Sequence, residues 1–491
     1  MSSVTAEEMR QIEETAFSRG VDAGELMDQA GAGIARLILD YFPHPGRAVA
    51  FIGKGNNGGD ALVVLEHLRA HGWQVSFRAG YPETEWSVLS RQRRRRLALD
   101  PSDAEEAVPA GRGPLLLLDG LLGIGVSGEL RAPLDKLASE MEELRHHHGA
   151  VVAAIDLPSG LNADDGSNGA VVADLTLTIG VPKTGLLADR AAEYCGRLFI
   201  VELENLPAPQ REGILVATPS SLPGLLKPRA HDFHKGKAGR VCILAGSSTM
   251  SGAAILASCG AIRGGAGLVT LFLDPENPAQ PPAEIITRRQ GDRISALFQE
   301  TANARVIGPG LGTLTKPQGE TLREKLASDD TPTVLDADAL NFLAESNQVD
   351  QLRSNHLITP HPGEFARLAP DLADLPRAEA VKAFVERHPC TLLLKGTRTL
   401  VASPNHEITL NPTGHAGMAT AGQGDVLAGV CGALLASGVP FHEAAALGAW
   451  LCGRAGERAL THGGESEQSC TAGDTVEHLG GAFRDWCERR R

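Results

Sequence analysis

The 491-residue chain carries 42% hydrophobic and 22% charged residues, a globular composition with apolar material for more than one core. Its net charge of −14 argues against a nucleic-acid partner, because a phosphate-tracking surface needs clustered Lys and Arg. No segment approaches the roughly 20 apolar residues that a bilayer crossing needs, which argues against a membrane partner.

The N-terminus, MSSVTAEEMRQIEET, is polar and acidic and lacks the basic and apolar regions of a secretory leader. Eight scattered cysteines, several (Cys242, Cys259, Cys431) inside apolar segments, read as small core residues in a reducing cytoplasm. In the first half, helices are expected at Ala6–Arg19, Ala23–Leu39, Asp60–His71 and Pro133–His146. Strands are expected at Ala48–Ile52, Gln74–Arg78, Leu115–Leu118, Val151–Ile155, Leu175–Ile179 and Leu198–Val201. Apolar strands alternating with helices point to a parallel sheet covered on both faces. The basic run from Arg91 to Arg96 reads as a solvated helix face, and His146–His148 as a solvated helix end.

A Pro-rich stretch from Pro207 to Arg229 breaks this pattern and divides the chain into residues 1–208, a linker at 209–229, and residues 230–491. Beyond it, strands are expected at Val241–Ala245, Leu268–Phe272, Ala304–Ile307, Thr333–Leu335, His356–Thr359 and Thr391–Leu394. Helices are expected at Gly252–Arg263, Asp338–Ala344 and Asp425–Ser437. In the first of these, Ile255, Leu256, Cys259 and Ile262 share one face and read as core. The fold expected is α/β, with two domains.

In the first half, the segment GKGNNGGD, from Gly53 to Asp60, is a glycine-rich turn that opens a helix. Glycines let backbone amides approach a ligand, and a helix start favours phosphate. Any strand-to-helix junction needs such a turn, but Asn56, Asn57 and Asp60 together are less generic. Two further loops begin with carboxylates, DGLLGIGVSGEL at Asp119 and DLPSGLNADDG at Asp156. Both follow strands, and open α/β sheets bind ligands at strand carboxyl ends. With Asn57 they offer hard oxygen donors suited to a cation.

GNNGGD, DGLLGIG, DLPSGLNADDG and VPKTGLL, in this order, closely resemble NAD(P)H-hydrate epimerase domains. The resemblance implies a Rossmann-like doubly wound sheet. It implies substrate contacts at Asn56, Asn57, Gly58, Gly59 and Asp60, at Gly123, Ile124, Gly125, Val126, Ser127, Gly128 and Glu129, and at Asp156. It also implies a potassium ion held by Asn57, Asp119 and Ser159. Epimerisation at a hemiaminal carbon needs proton transfer and charge stabilisation, and Asp156 is placed for general acid/base work. Lys183 is a further catalytic candidate, its plain alternative being a surface lysine after a strand. Lys54 stands where the family usually has proline, and Ala61 where glycine is usual.

The second half has more motifs. GSSTMSGAAIL opens a helix at Gly246; GPGLG follows a strand at Gly308; VLDADAL sets Asp336 and Asp338 at a strand end; TPHPGEF sets His361 and Glu364 on a loop. LLLKGTRTLVAS reads as two strands joined by a turn bearing Lys395, Thr397, Arg398 and Thr399, a place to hold a nucleotide or simply an exposed hairpin turn. The stretch NPTGHAGMATAGQGDVLAGVCGALLASG runs small residues into a helix whose apolar face is Val426, Leu427, Val430 and Leu434. Amides from Ala421 to Gly424 can form an anion hole there. Asp425 beside it suits a general base that deprotonates a hydroxyl during phosphoryl transfer. An N-cap aspartate is the plain alternative.

Together these segments resemble ADP- or ATP-dependent NAD(P)H-hydrate dehydratases of the ribokinase-like superfamily. The resemblance implies a ribokinase-like α/β sandwich, with substrate contacts at Ala253, Gly310, His361 and Asp425. It implies nucleotide contacts at Lys395, Gly396, Thr397, Arg398, Thr399 and Gly424, ADP with magnesium as phosphate donor, NADHX and NADPHX as substrates, and a homo-oligomer. His415 and Ala421 replace an asparagine and a glycine common in the family motif. Two other readings stay open at this point. One is a ribokinase-like small-molecule kinase, which would not need the NNGGD half. The other is a nucleotide-binding protein whose catalysis has decayed.

Overall fold

The computed structural model describes residues 2–97, 111–125, 129–207, 209 and 213–488. The chain forms two compact units that meet in sequence between Val216 and Ala217.

The first unit is built on six strands: β1 (Arg47–Ile52), β2 (Gln74–Ala79), β3 (Leu115–Gly120), β4 (Val151–Ile155), β5 (Leu175–Ile179) and β6 (Arg197–Val201). They run in the order β2-β1-β3-β4-β5-β6, and every pairing is parallel. Parallel strands need crossovers, and helices on both faces bury them. Ile52, Leu116, Leu118 and Ile155 pack with Ile34, Leu62 and Leu65 in one apolar cluster; Phe51, Leu117 and Val152 pack with Leu134 and Met141 in another. The strands match the sequence expectation to within two residues. One helix does not: it spans Asn56–Ala70 and starts four residues before Asp60. Its first turn is made of small residues because the backbone is crowded there. A Cβ on Gly58 would lie 2.7 Å from the Gly53 carbonyl oxygen.

The basic run lies on a helix, Val88–Leu97, but is only partly solvated. Arg93 turns inward, donates to the Gly24 carbonyl at 2.9 Å and pairs with Asp28 at 2.8 Å. Arg96 pairs with Asp28 and Glu66. Countercharge brought from two other helices draws the run onto the fold. The His146–His148 end of helix Leu134–His148 is exposed.

A two-residue strand, β7 (Leu215–Val216), ends the first unit. The second unit follows with β8 (Arg240–Leu244), β9 (Leu268–Leu273), β10 (Ile285–Arg289), β11 (Ala304–Ile307), β12 (Thr333–Leu335), β13 (His356–Ile358), β14 (Thr391–Leu394), β15 (Leu400–Ala402) and β16 (Thr409–Leu410). The order is β10-β9-β8-β11-β12-β13-β14-β15-β16. It is parallel through β14 and antiparallel across β15 and β16. The hairpin read from LLLKGTRTLVAS is thus β14 and β15.

One expectation is corrected here. Helix Ser251–Arg263 buries Ala254, Ala257, Ser258, Gly260 and Ala261, while Ile255, Leu256, Cys259 and Ile262 are only partly buried. The cause is close contact with helix Gln423–Ala436. A Cβ on Gly429 would lie 2.0 Å from the Ala257 carbonyl oxygen, and one on Gly260 would lie 2.4 Å from that of Val426. Only small residues fit at that approach, so the large ones turn aside.

Candidate active sites

In the first unit β1 has β2 on one side and β3 on the other, so the winding direction reverses between β1 and β3. Such a reversal opens a crevice at the strand carboxyl ends. The loops leaving β1, β3, β4 and β5 carry most of the residues singled out above. Asn57 donates through Nδ2 to the Leu122 carbonyl at 2.8 Å, and the Leu122 amide donates to Ser159 Oγ at 2.9 Å. Ser159 donates from Oγ to Asp119 Oδ1 at 2.6 Å and from its amide to Oδ2 at 2.8 Å. Asn57, Asp119 and Ser159 therefore meet around one loop, and Gly123 lies against Asn57. Asp119 is fully buried. Burial pushes its carboxyl up to about 6 against the hydrogen bonds from Ser159 and Leu121, which lower it. Glu129 and Gly125 are exposed and Ile124 half-buried, while Val126, Ser127 and Gly128 lie outside the described residues.

Asp156 follows β4 with φ of 69°, a left-handed backbone that is uncommon for a residue with a side chain. Its Oδ1 takes the Lys183 ammonium, the Ile179 amide at 3.0 Å and the Thr178 hydroxyl at 3.3 Å. Lys183 also donates to the Ile179 carbonyl at 2.9 Å and is only 1% exposed, so it is no surface lysine. Asp60 and Glu13 share this neighbourhood. Burial raises the Asp60 carboxyl well above the usual range, and the charges of Asp156 and Glu13 add to it. Glu13 is raised too, by burial first, with Lys183 pulling down and Asp156 pushing up. Glu13 escaped the sequence reading. The only trace it leaves there is its place on the stripe Met9, Ile12, Ala16 of an amphipathic helix.

In the second unit Asp425 sits in the first turn of helix Gln423–Ala436, and Gly424 lies beside Lys395. A Cβ on Gly424 would stand 3.2 Å from Lys395 Nζ. The lysine donates to Asp336 Oδ1 at 2.8 Å, and the Thr359 hydroxyl donates to the same oxygen at 2.8 Å. Burial alone would lower Lys395, but Asp336, Glu364 and Asp425 outweigh it and raise the ammonium. Asp425 is pushed up to about 7 by burial and by the charge of Asp336, with Lys395 pulling the other way. Ala253 and Gly310 meet: a Cβ on Gly310 would lie 2.8 Å from that of Ala253. Arg293, unremarked in the sequence, ties their loops together by donating to the carbonyls of Gly246 and Leu311.

His361 and the turn between β14 and β15 carry the remaining expected residues. His361 is exposed, and its Nδ1 caps helix Pro362–Leu368 by accepting from the Gly363 amide at 3.0 Å. Glu364 from the same loop is buried and reaches back to the His361 amide at 2.8 Å. In the β14–β15 turn Gly396 and Thr397 are exposed, Thr399 is half-buried, and Arg398 is buried.

These sites define a two-unit α/β enzyme with a carboxylate and a lysine at strand ends in each half. Residues 23–185 match the family described as YjeF-related protein N-terminus, and residues 241–478 match NAD(P)H-hydrate dehydratase. The bifunctional NAD(P)H-hydrate repair enzyme Nnr of Coxiella burnetii is 34% identical, over 96% of this chain and 97% of its own. That of Moorella thermoacetica is also 34% identical, over 98% and 96%. A ribokinase-like superfamily protein from Enterococcus faecalis matches 57% of this chain and 99% of its own at TM-score 0.50 and 23% identity, which shows the shared fold. The chain belongs to the family of bifunctional NAD(P)H-hydrate repair enzymes.

Proposed function

We propose that residues 1–208 interconvert the R and S forms of NADHX and NADPHX. In this reading residues 230–491 dehydrate the S form at the expense of ADP, and 209–229 connect the two. Hydration of the nicotinamide ring gives two epimers, and a dehydratase that takes one strands the other unless an epimerase feeds it. The observation that carries the reading is Asp425. It is a carboxyl pushed up to about 7 beside a helix start and a lysine, poised to accept a proton near neutral pH.

Asp425 takes the proton of the substrate's ring hydroxyl, whose oxygen attacks the terminal phosphorus of ADP as AMP leaves. Phosphate then departs and a ring proton is lost, which restores the dihydronicotinamide. Gly424 and the turn Lys395–Thr399 hold the nucleotide, and Ala253, Gly310 and His361 hold the substrate. Magnesium would be carried in largely on the nucleotide's phosphates. There it would neutralise phosphate charge.

In the first unit Asp156 is the acid/base and Lys183 holds it, with Asn56–Asp60 and Gly123–Glu129 along the substrate. Potassium would be held by Asn57, Asp119 and Ser159. Oxygen donors with a single carboxylate suit a monovalent ion, and Asp119 is buried with no ammonium or guanidinium of the described residues paired to it. In this reading the enzyme acts on small molecules in the cytoplasm as a homo-oligomer. No helix among the described residues is long and apolar enough to cross a membrane.

The test is to supply both epimers of hydrated NADH with ADP or ATP and follow the absorbance of reduced nicotinamide. Complete recovery by the wild type is expected, with only about half recovered by Asp156→Asn before slow spontaneous exchange. No recovery with either nucleotide would leave the small-molecule kinase as the better reading.

A further inference from the structure

The segment before the first helix is stitched to the loop that carries Lys183. The Val4 amide donates to the Pro182 carbonyl at 2.9 Å, and the Thr184 amide donates to the Val4 carbonyl at 2.8 Å, so the contact brackets Lys183. The Ala6 amide donates to Asp164 Oδ1 at 2.6 Å, on the loop that begins with Asp156. Val4, Met9 and Ile12 pack with Val181. Helix Ala6–Ser18 is thereby fixed against both loops of the first site, and a capping box between Thr5 and Glu8 sets where it begins. Met9, Ile12 and Ala16 are its buried stripe, and Glu13 lies on that stripe, half-buried. Its carboxylate accepts no hydrogen bond from a described residue, although the charges of Lys183 and Asp156 both reach it.

We propose that Glu13 is a second acid/base residue of the epimerase site, paired in function with Asp156. This rests on the epimerase reading of the first unit. One route to inversion at the hemiaminal carbon is for the hydroxyl to leave one face and water to add to the other. Glu13, protonated, gives its proton to the hydroxyl; the C–O bond breaks with its electron pair leaving on water, and the ring nitrogen's lone pair forms the C=N bond. Water then adds from the opposite face, the C=N π pair returns to nitrogen, and the Asp156 carboxylate takes the proton released. Solvent exchange restores both groups, and no oxidant or other reactant is consumed. The groups that face Glu13 are Lys183, Asp156 and Asp60, with Arg10 on its own helix. Burial first and then the charge of Asp156 favour a proton on Glu13, against the pull of Lys183 and Arg10, in keeping with its raised carboxyl.

The experiment follows loss of the R epimer by chromatography without nucleotide, on the full chain. Glu13→Gln is expected to lower kcat by about 10- to 100-fold with KM within about twofold. Dehydration of the S epimer with ADP should stay at the wild-type rate. Added formate should return part of the epimerase rate to Glu13→Ala, as only a missing carboxylate would allow. A Glu13→Gln enzyme with the wild-type rate and pH profile, beside an inactive Asp156→Asn, overturns this proposal alone. Slowing without rescue, matched by a lowered melting temperature, makes Glu13 structural and also overturns it. A wild type that never interconverts the epimers sinks the epimerase reading and Glu13's role with it.

Discussion

Each unit sets a carboxylate and a lysine at the carboxyl ends of parallel strands, but the two are wired differently. In the first unit Lys183 bonds Asp156 itself. In the second, Lys395 gives its hydrogen bond to Asp336, and Asp425 is left beside a like charge in a poorly solvated turn. The same two residue types thus give a carboxylate held by an ammonium in one place and a carboxyl near 7 in the other. In the second unit burial first, and then the charge of Asp336, pushes Asp425 up, with Lys395 pulling the other way.

The contrast breaks most sharply at Asp425. Asp425→Asn should cut ADP-driven dehydration by at least about 100-fold and leave epimer exchange within about twofold of wild type. Wild-type dehydration should fall as pH drops through about 7, where the base is lost. Stability carries the opposite sign. With a folded value near 7 against an ordinary 3.8, the folded state binds more protons across that window, so stability declines as pH rises through it. Asp425→Asn should therefore melt higher than wild type at pH ~8 and nearly alike at pH ~4. A variant that melts lower at the higher pH would show that the buried charge is no burden.

Asp336→Asn sharpens the comparison. It removes a like charge and frees Lys395 to approach Asp425, so the acid limb of the dehydration profile should move to lower pH by about one unit or more. An unmoved limb would mean that Asp336 does not govern Asp425.

The smallest effect concerns the first unit. Asp119, raised to about 6, removes stability as pH climbs from its ordinary 3.8 through that value. Potassium at Asn57, Asp119 and Ser159 should offset this, raising the melting temperature by about 1–3 °C near pH ~7.5 and by little at pH ~5, where sodium or a bulky quaternary ammonium should not. Equal shifts at both values would place the ion elsewhere.

Much of this was legible in sequence because it is local. Strands such as Val151–Ile155 and Ala304–Ile307 fall where apolar runs end in Gly or Asp, and the carboxylates at their ends follow from the runs. What escaped depends on contacts far apart in the chain. Lys395 and Asp336 are 59 residues apart, so the turn looked like a nucleotide clasp when its lysine was also an ion-pair partner. Glu13 comes to its site through backbone bonds from Val4 to Pro182 and Thr184, which no side-chain pattern announces. Helix Ser251–Arg263 misled for a related reason: periodicity finds its large residues, whereas its neighbour accepts only its small ones.

That neighbour relation has a consequence for how the second site works. Helix Gln423–Ala436 is locked to helix Ser251–Arg263 by contacts that leave no room for an added methyl at Gly260 or Gly429. Backbone contact this close resists sliding and rotation, so the amides of its first turn and Asp425 are held in a set orientation. Dipoles fixed in advance need no reorganisation when charge builds on the transferring group. Change in substrate range would then have to come through the loops around Gly246 and Gly310, because the two helices can vary only as a pair.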